Sequence, residues 1–480
     1  MAAMGAESRS LLAGPTVPKR PLPFFEYVRV TQDNFIAGFH ETAFDQRIIA
    51  RKLLWFRSFV VNDPDGIKRV LLDNDVNYVK ADILRPTLGP ALGTGLVTSE
   101  GEKWRALRRL IAPVFDHRSV QGYAPVMISA IEVMLKRWEA LPDGSGLDVY
   151  KAMMELTLDI ISRTMFSSDS AGMADLIDRS SLDYQTQMTF SLWGVVPIAK
   201  RVWALHKERQ GRRIVREMDE AIYRLITRRG EGSEPRAHQD LLDRLIAARS
   251  TETGLGLSPV EVRDQVVTIM LAGHETSATA LSWTWYLLSQ HPLEEAKLHH
   301  ELEQVLADRS PTFEDVPLLR CTRMIIQEAM RLYPPFHTLS WRQAIADDEV
   351  CGQRIPRGSI VLIVPWVLHR NPTLWERPER FEPERFSEER SASRLRFAYL
   401  PFSVGPRVCI GAAFAMTEAV LILATVAQRY RLHLADGHPV EPQGLVTLRP
   451  RHGLHMLLQR RPPAAGWPTP NGGATQSPES

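Results

Sequence analysis

One stretch restricts the fold more than any other. From Ser258 to Gln290 the chain keeps helical spacing and is apolar on most sides. A helix of about 32 residues is roughly 48 Å long, and one that is apolar nearly all round has to cross the core of a large domain. Its ends are marked. Ser258-Pro259-Val260-Glu261 offers an N-cap hydroxyl, a first-turn proline and a capping-box acid, and His291-Pro292 closes the pattern. Helical spacing also runs through 121–141, 147–166, 202–229, 240–248 and 412–428. Strand signals are short: Phe59-Val60-Val61, then Ser359 to Val364 after the turn Ile355-Pro356-Arg357-Gly358, and 445–457, where a late hairpin is expected. The expected fold class is mainly α with small β-sheets.

The 480 residues could hold several domains by length, but no linker or internal repeat divides them. Gly230-Glu231-Gly232-Ser233-Glu234-Pro235 is a loop with helical patterns on both sides. The expected organisation is an irregular arm over 1–24, one large domain over 25–461, and a disordered tail over 462–480, rich in Pro, Gly, Ser and Thr. Lys and Arg number 58 against 56 Asp and Glu, so no global basic field points to nucleic acid. The three cysteines, Cys321, Cys351 and Cys409, form no C-x-x-C pair and are too few for a disulfide scaffold, which suits a reducing compartment. Met1 to Phe25 lacks the apolar core of a signal peptide, and no run reaches the roughly 18–20 apolar residues of a membrane span. A soluble, cytoplasmic protein is expected.

The third cysteine sits in an unusual place. Pro401-Phe402-Ser403-Val404-Gly405-Pro406-Arg407-Val408-Cys409-Ile410-Gly411 is a turn-rich loop that delivers one thiol to the start of an apolar helix. Gly405 and Gly411 permit tight turns and close backbone approach. A helix N-terminus favours a thiolate over a thiol. The alternative is that Cys409 is a small buried hydrophobe.

Midway along the long helix stands Ala272-Gly273-His274-Glu275-Thr276-Ser277. A glycine in a buried helix costs about 1 kcal/mol relative to alanine, so something should compensate. Without bulk at Ala272 and Gly273, a flat cofactor and a diatomic ligand could lie against the backbone. Thr276 can bond back to a carbonyl of the preceding turn. Glu275 beside Thr276 pairs an acid with a hydroxyl, as proton delivery requires. The alternative is a small-residue contact where another helix crosses.

The pattern F-x-x-G-x-R-x-C-x-G is matched from Phe402 to Gly411 at every fixed position, and by it the chain closely resembles the cytochrome P-450 superfamily. The hexapeptide from Ala272 resembles that family's A-G-x-(D/E)-T-(T/S) element, with His274 at the variable position. Glu328 and Arg331, followed by Leu332-Tyr333-Pro334-Pro335, resemble its E-x-x-R helix. Trp375-Glu376-Arg377-Pro378 and Phe381-Glu382-Pro383-Glu384-Arg385-Phe386 resemble its meander, and Trp104 with Arg108 resembles its W-x-x-x-R element. The motifs stand in the family's order across roughly 21–461.

The resemblance implies a single haem-thiolate domain with the long helix over a haem b, and a monooxygenase that inserts one atom of O2 into an organic substrate. It implies Cys409 as the axial ligand of the haem iron, whose thiolate favours O–O cleavage. Trp104, Arg108, Arg342 and Arg407 would hold the propionates, with Ala272, Gly273, Phe402 and Gly411 against the cofactor. Glu275 and Thr276 would be the catalytic acid–alcohol pair. Glu328, Arg331 and Arg385 would form a structural network. No flavin or iron–sulfur module is present, so electrons from NAD(P)H are expected through a separate ferredoxin or flavodoxin with its reductase. Arg105 and Arg109 could add to a basic face for such a partner. A monomer is expected. The substrate is expected to be small and lipophilic, a fatty acid or terpenoid, in a pocket that uses the loop before Trp104, the long helix near Met270, the segment after Arg331 and the turn near Leu445-Val446-Thr447. His337 could bond a substrate oxygen, or protein and water instead. Two rival readings are a peroxide-driven hydroxylase and a haem-based sensor. Neither needs a proton relay.

Overall fold

The computed structural model describes residues 12–53, 56–167, 200–230, 240–248 and 256–461, together with 180, 183 and 184. Most of the expected loop at 230–235, the tail at 462–480 and the first part of the arm lie outside these. The helices that build the site are α1 (Phe24–Asp33), α2 (Leu84–Leu92), α3 (Gly101–Ile111), α4 (His117–Glu139), α5 (Val149–Phe166), α6 (Lys200–Gly230), α7 (Leu241–Ala247), α8 (Pro259–Gln290), α9 (Pro292–Val305), α10 (Arg320–Leu332) and α11 (Ala412–Arg429). This is the helix-rich fold expected.

The long helix α8 forms as its ends predict. Glu261 N–H donates to Ser258 Oγ, and Ser258 N–H donates back to Glu261 at 3.0 Å. Lys103 Nζ, 2.9 Å from Glu261, helps hold that carboxyl down to about 2. Residues 262–270 and 277–288 are buried without a break. The helix packs along α5 and against α6, α10 and α11. α11 is long and apolar enough to cross a membrane, but most of it is buried against α4, α8, α9 and α10, as a core helix would be.

The strands that matter are β1 (Ile48–Leu53), β2 (Phe56–Val61), β3 (Tyr78–Lys80), β4 (Gly146–Asp148), β5 (Ser340–Ala344), β6 (Ile360–Ile363), β7 (Tyr430–Leu434), β8 (Pro442–Gly444), β9 (Leu448–Pro450) and β10 (His455–Arg460). The largest sheet has the order β1–β2–β6–β5–β3, with β2 and β6 parallel and the other neighbours antiparallel. Both early strand signals therefore meet in one sheet.

The late hairpin over 445–457 does not form. β9 folds back on β8 around the turn Leu445–Thr447, while β10 joins β7 and β4. Gly453, at φ +69°, separates the two ladders, and a Cβ there would lie 2.5 Å from an Asp148 carboxylate oxygen. That carboxylate accepts from Leu454 N–H at 3.0 Å and draws β10 away to β4.

Candidate active site

The cysteine loop is held by its own backbone. Cys409 N–H donates to Phe402 O at 2.8 Å, and Val408 N–H donates to Gly405 O at 3.1 Å. Gly405 has φ +78°, and a Cβ there would overlap the Leu71 carbonyl oxygen, so only glycine fits. Gly411 differs. Its φ is −92°, and a Cβ would make ordinary contact with Phe115 at 3.7 Å, so nothing in the protein itself requires glycine. The Cys409 side chain is open to solvent. The protein around it still desolvates the thiol and raises its pKa, while the Gly411 amide and Arg108 act in the opposite direction.

Beneath the loop lies a closed ionic brace. Arg331 forks onto Glu328 at 2.7 and 2.8 Å, and both side chains are fully buried. Arg331 gives its other N–H groups to the carbonyls of His369, Pro378 and Arg380 at 2.7–2.9 Å. Arg385 reaches Glu328 at 3.3 Å and Glu382 at 3.0 Å. The expected Glu–Arg–Arg network is therefore in place. His369 extends it: its Nε2 accepts from Leu400 N–H at 3.0 Å, and burial holds the ring neutral. The chain entering the cysteine loop is thus tied to the brace.

Between Val262 and Leu288 the burial of α8 breaks only at 271–273 and at Thr276. Ala272 is exposed and Leu271, Gly273 and Thr276 are half-buried, so the helix is uncovered along the face that carries Ala272 and Thr276. Thr276 Oγ1 donates to Ala272 O at 2.7 Å, the back-bond expected of it. Glu275 is buried and accepts from Thr447 Oγ1 at 2.5 Å. The acid and the hydroxyl, adjacent in sequence, thus have different bonding partners. For Gly273 the helix-crossing alternative applies: a Cβ there would lie 2.9 Å from Ile161 on α5, so close helix packing is what requires glycine. His274 is fully buried. Its Nδ1 lies 2.8 Å from Met270 O, and its carbonyl accepts from Thr157.

A cluster of cations lies by the sheet. Lys80 on β3 stands directly opposite Arg342 on β5. Like charges directly opposite on a strand pair are destabilising. Burial and the neighbouring cations Arg407 and Arg342 push Lys80 down to about 7. Burial and Arg407 push Arg342 down to about 10. Arg407 pairs with Glu100 and lies 4.4 Å over the Trp104 ring, with Arg108 5.8 Å from the same ring. The residues expected to share one task are together, and Lys80, which the sequence did not suggest, is among them. Only the pairing of β3 with β5 reveals it. Arg105 pairs with Glu102 at the surface, and Arg109 is exposed.

Next to this cluster is a largely apolar cavity of about 250 Å³. Phe35, Ile83, Leu88, Trp341, Leu445 and Val446 line it, with Lys80 and Arg342 in its wall. His337 lines it too, but is committed to protein. Its Nε2 lies 2.8 Å from Leu445 O, and its Nδ1 lies 2.9 Å from Thr338 Oγ1. The carbonyl fixes Nε2 as the donor, and burial drops the pKa to about 4. Glu418 on α11 is a second feature the sequence did not suggest. Fully buried, it is pushed up to about 8 by desolvation, against a lowering by the nearby Ser277 hydroxyl.

The family model for cytochrome P-450 matches residues 15–456. Cyclooctatin synthase of Streptomyces melanosporofaciens is 36% identical over 80% of this chain and 83% of its own length. Pentalenene oxygenase of Streptomyces avermitilis is 31% identical over 85% of this chain and 88% of its own. The crystal structure of a cytochrome P-450DA mutant haem domain superposes with a TM-score of 0.78 at 25% identity, covering 94% of this chain and 99% of that one. The chain belongs to the cytochrome P-450 family and is a cytochrome P-450 monooxygenase with haem as its cofactor. Its reaction takes an organic substrate, O2 and electrons from redox partners.

The residues present fit that cofactor on two counts. Three cations with Glu100 as counter-charge match a group that carries two carboxylates. An open cysteine on one loop and an exposed alanine in an otherwise buried helix leave surfaces that protein does not cover.

Proposed function

We propose that this protein is an NAD(P)H-dependent haem-thiolate monooxygenase acting on a lipophilic terpenoid or fatty acid, with electrons from a separate ferredoxin or flavodoxin and its reductase. One observation carries the reading. Cys409 keeps an open sulfur at the start of a buried helix, where the Gly411 amide and Arg108 act against the desolvation that raises its pKa. When bound, the haem would supply the oxidising chemistry, and Cys409 would hold its iron through the thiolate. Lys80, Arg342, Arg407 and Arg108 would hold the propionates beside Trp104, and Phe402 shapes the loop through its carbonyl. Ala272 and Gly411 leave room for the cofactor, while Gly273 serves it only indirectly, by letting α8 approach α5. Glu275 and Thr276 would form the acid–alcohol pair that passes protons toward the cofactor side of α8.

The apolar walls at Phe35, Ile83, Leu88 and Val446 support a lipophilic substrate. The relatives named for cyclooctatin and pentalenene favour the terpenoid class. Three free cysteines support a cytoplasmic location. Arg109 and Arg105 at the surface support docking of an acidic redox protein on a monomer. We take 25–461 as the catalytic domain, with the arm docked on it through Ala13, whose N–H donates to Tyr286 and whose carbonyl accepts from Tyr333.

The relay separates this reading from a peroxide-driven enzyme or a sensor. Terpenoids and fatty acids are screened for a low-spin to high-spin shift, and a positive compound is turned over with a ferredoxin and its reductase. Thr276→Ala is expected to lower product per NAD(P)H by on the order of tenfold or more, with peroxide released instead. Unchanged coupling would remove Thr276 from the mechanism.

A further inference from the structure

The turn between β8 and β9 is only three residues long, Leu445 to Thr447, and it faces two ways. Leu445 and Val446 line the apolar cavity. Thr447 turns to α8, where its hydroxyl donates to the buried Glu275 carboxylate. The turn is anchored on all sides. His337 Nε2–H donates to Leu445 O, Leu445 N–H donates to Thr447 O at 3.0 Å, and Leu448 N–H donates to Pro335 O at 2.9 Å. Trp283, two turns along α8 from Thr276, donates its indole N–H to Leu448 O at 2.6 Å. The frame on either side of Thr447 is therefore fixed to α8 and to the segment after α10. A hydroxyl on such a frame presents one donor at one place.

We propose that Thr447 is a positioning residue for proton delivery: it sets the place from which the Glu275 carboxylate serves Thr276. A free glutamate side chain samples several rotamers and loses entropy each time it adopts one. A fixed charge-assisted hydrogen bond selects the rotamer in advance. The turn that makes this bond also forms cavity wall, so the acid is tied to the surface a substrate touches. This inference rests on the relay reading of Glu275 and Thr276.

The test uses the haem-loaded enzyme without substrate, driven by NADPH through a plant-type ferredoxin and its reductase. Two products compete for the electrons. Two electrons and two protons turn O2 into hydrogen peroxide. Four electrons and four protons turn O2 into two waters, which requires full protonation of the distal oxygen. The peroxide-to-water ratio therefore reads the relay. The variants are Glu275→Gln, Thr447→Val, Thr447→Ser and the double variant Glu275→Gln/Thr447→Val. Haem content and the reduced carbon monoxide spectrum show whether each variant keeps its site.

Thr447→Val is expected to raise the ratio on the order of tenfold, the worth of a hydrogen bond to a charged group, and to change the solvent deuterium isotope effect on NADPH consumption. Thr447→Ser should restore both. The double variant should be no worse than Glu275→Gln, because the two residues act as a unit. If Glu275→Gln raises the ratio but Thr447→Val leaves it at the wild-type value, or if the two effects multiply, Thr447 does not position the acid. If Glu275→Gln itself leaves the ratio unchanged, the relay reading falls and this inference falls with it.

Discussion

Two buried ionic clusters flank the cysteine loop and solve the problem of buried charge differently. In the brace, Glu328 meets Arg331 and Arg385, Glu382 meets Arg385, and the remaining Arg331 donors end on three carbonyls. Charges and hydrogen bonds close within the protein. In the second cluster, Lys80, Arg342 and Arg407 share Glu100; burial lowers the pKa values of all three, and the Arg407 charge lowers those of Lys80 and Arg342 further. A self-satisfied cluster holds the fold. A cluster with surplus cations leaves positive charge for an anion from elsewhere, which is the role proposed for it. Motif matching alone does not separate them, since arginines from short sequence signatures stand in both.

The difference can be broken from either side. Removing the brace carboxylate with Glu328→Gln leaves Arg331 buried without a counter-charge and Arg385 with Glu382 alone. The expected loss is about 3–5 kcal/mol, read as a lower midpoint in denaturant and reduced haem content. A loss under about 1 kcal/mol would mean that the brace is not what secures the loop.

Lys80→Met should act with the opposite sign. In the apoprotein it relieves like-charge repulsion and should raise stability by about 1 kcal/mol or less. In the holoprotein it should speed haem transfer to apomyoglobin. The pH dependence follows the same logic. Lys80 titrates near 7 in the folded apoprotein, against an ordinary value of 10.5. Between those values the unfolded chain binds more protons, so apoprotein stability should rise with pH across this window. The Lys80 contribution to that rise should vanish in Lys80→Met. Equal destabilisation of apo- and holoprotein would make the cluster structural, like the brace.

What the sequence made legible was what short spacings encode. The Ser258–Glu261 capping box, the Cys409 loop, Glu328 with Arg331, and Trp104 with Arg108 each lie within a few residues, and helix or turn geometry fixes their relation. What it hid were meetings across the chain. Lys80 faces Arg342 only because β3 pairs with β5. Thr447 meets Glu275 only because β9 folds back on β8 rather than running on into a hairpin with β10. Glu418 lies in a helix whose apolar pattern gives no hint that its carboxyl is buried. Gly273 was legible as a cost in a buried helix, but not as a contact with Ile161, which needs the crossing of α5.

The central claim is that Cys409 ligates the haem iron as a thiolate. The direct measurement is the absorption spectrum of the haem-loaded protein, reduced and saturated with carbon monoxide, beside that of Cys409→His. The wild-type protein should show the strongly red-shifted Soret band that only a thiolate opposite carbon monoxide produces, and Cys409→His should show the band at shorter wavelength typical of imidazole ligation. A wild-type band at that shorter wavelength, in protein that retains its full haem content, would contradict the account.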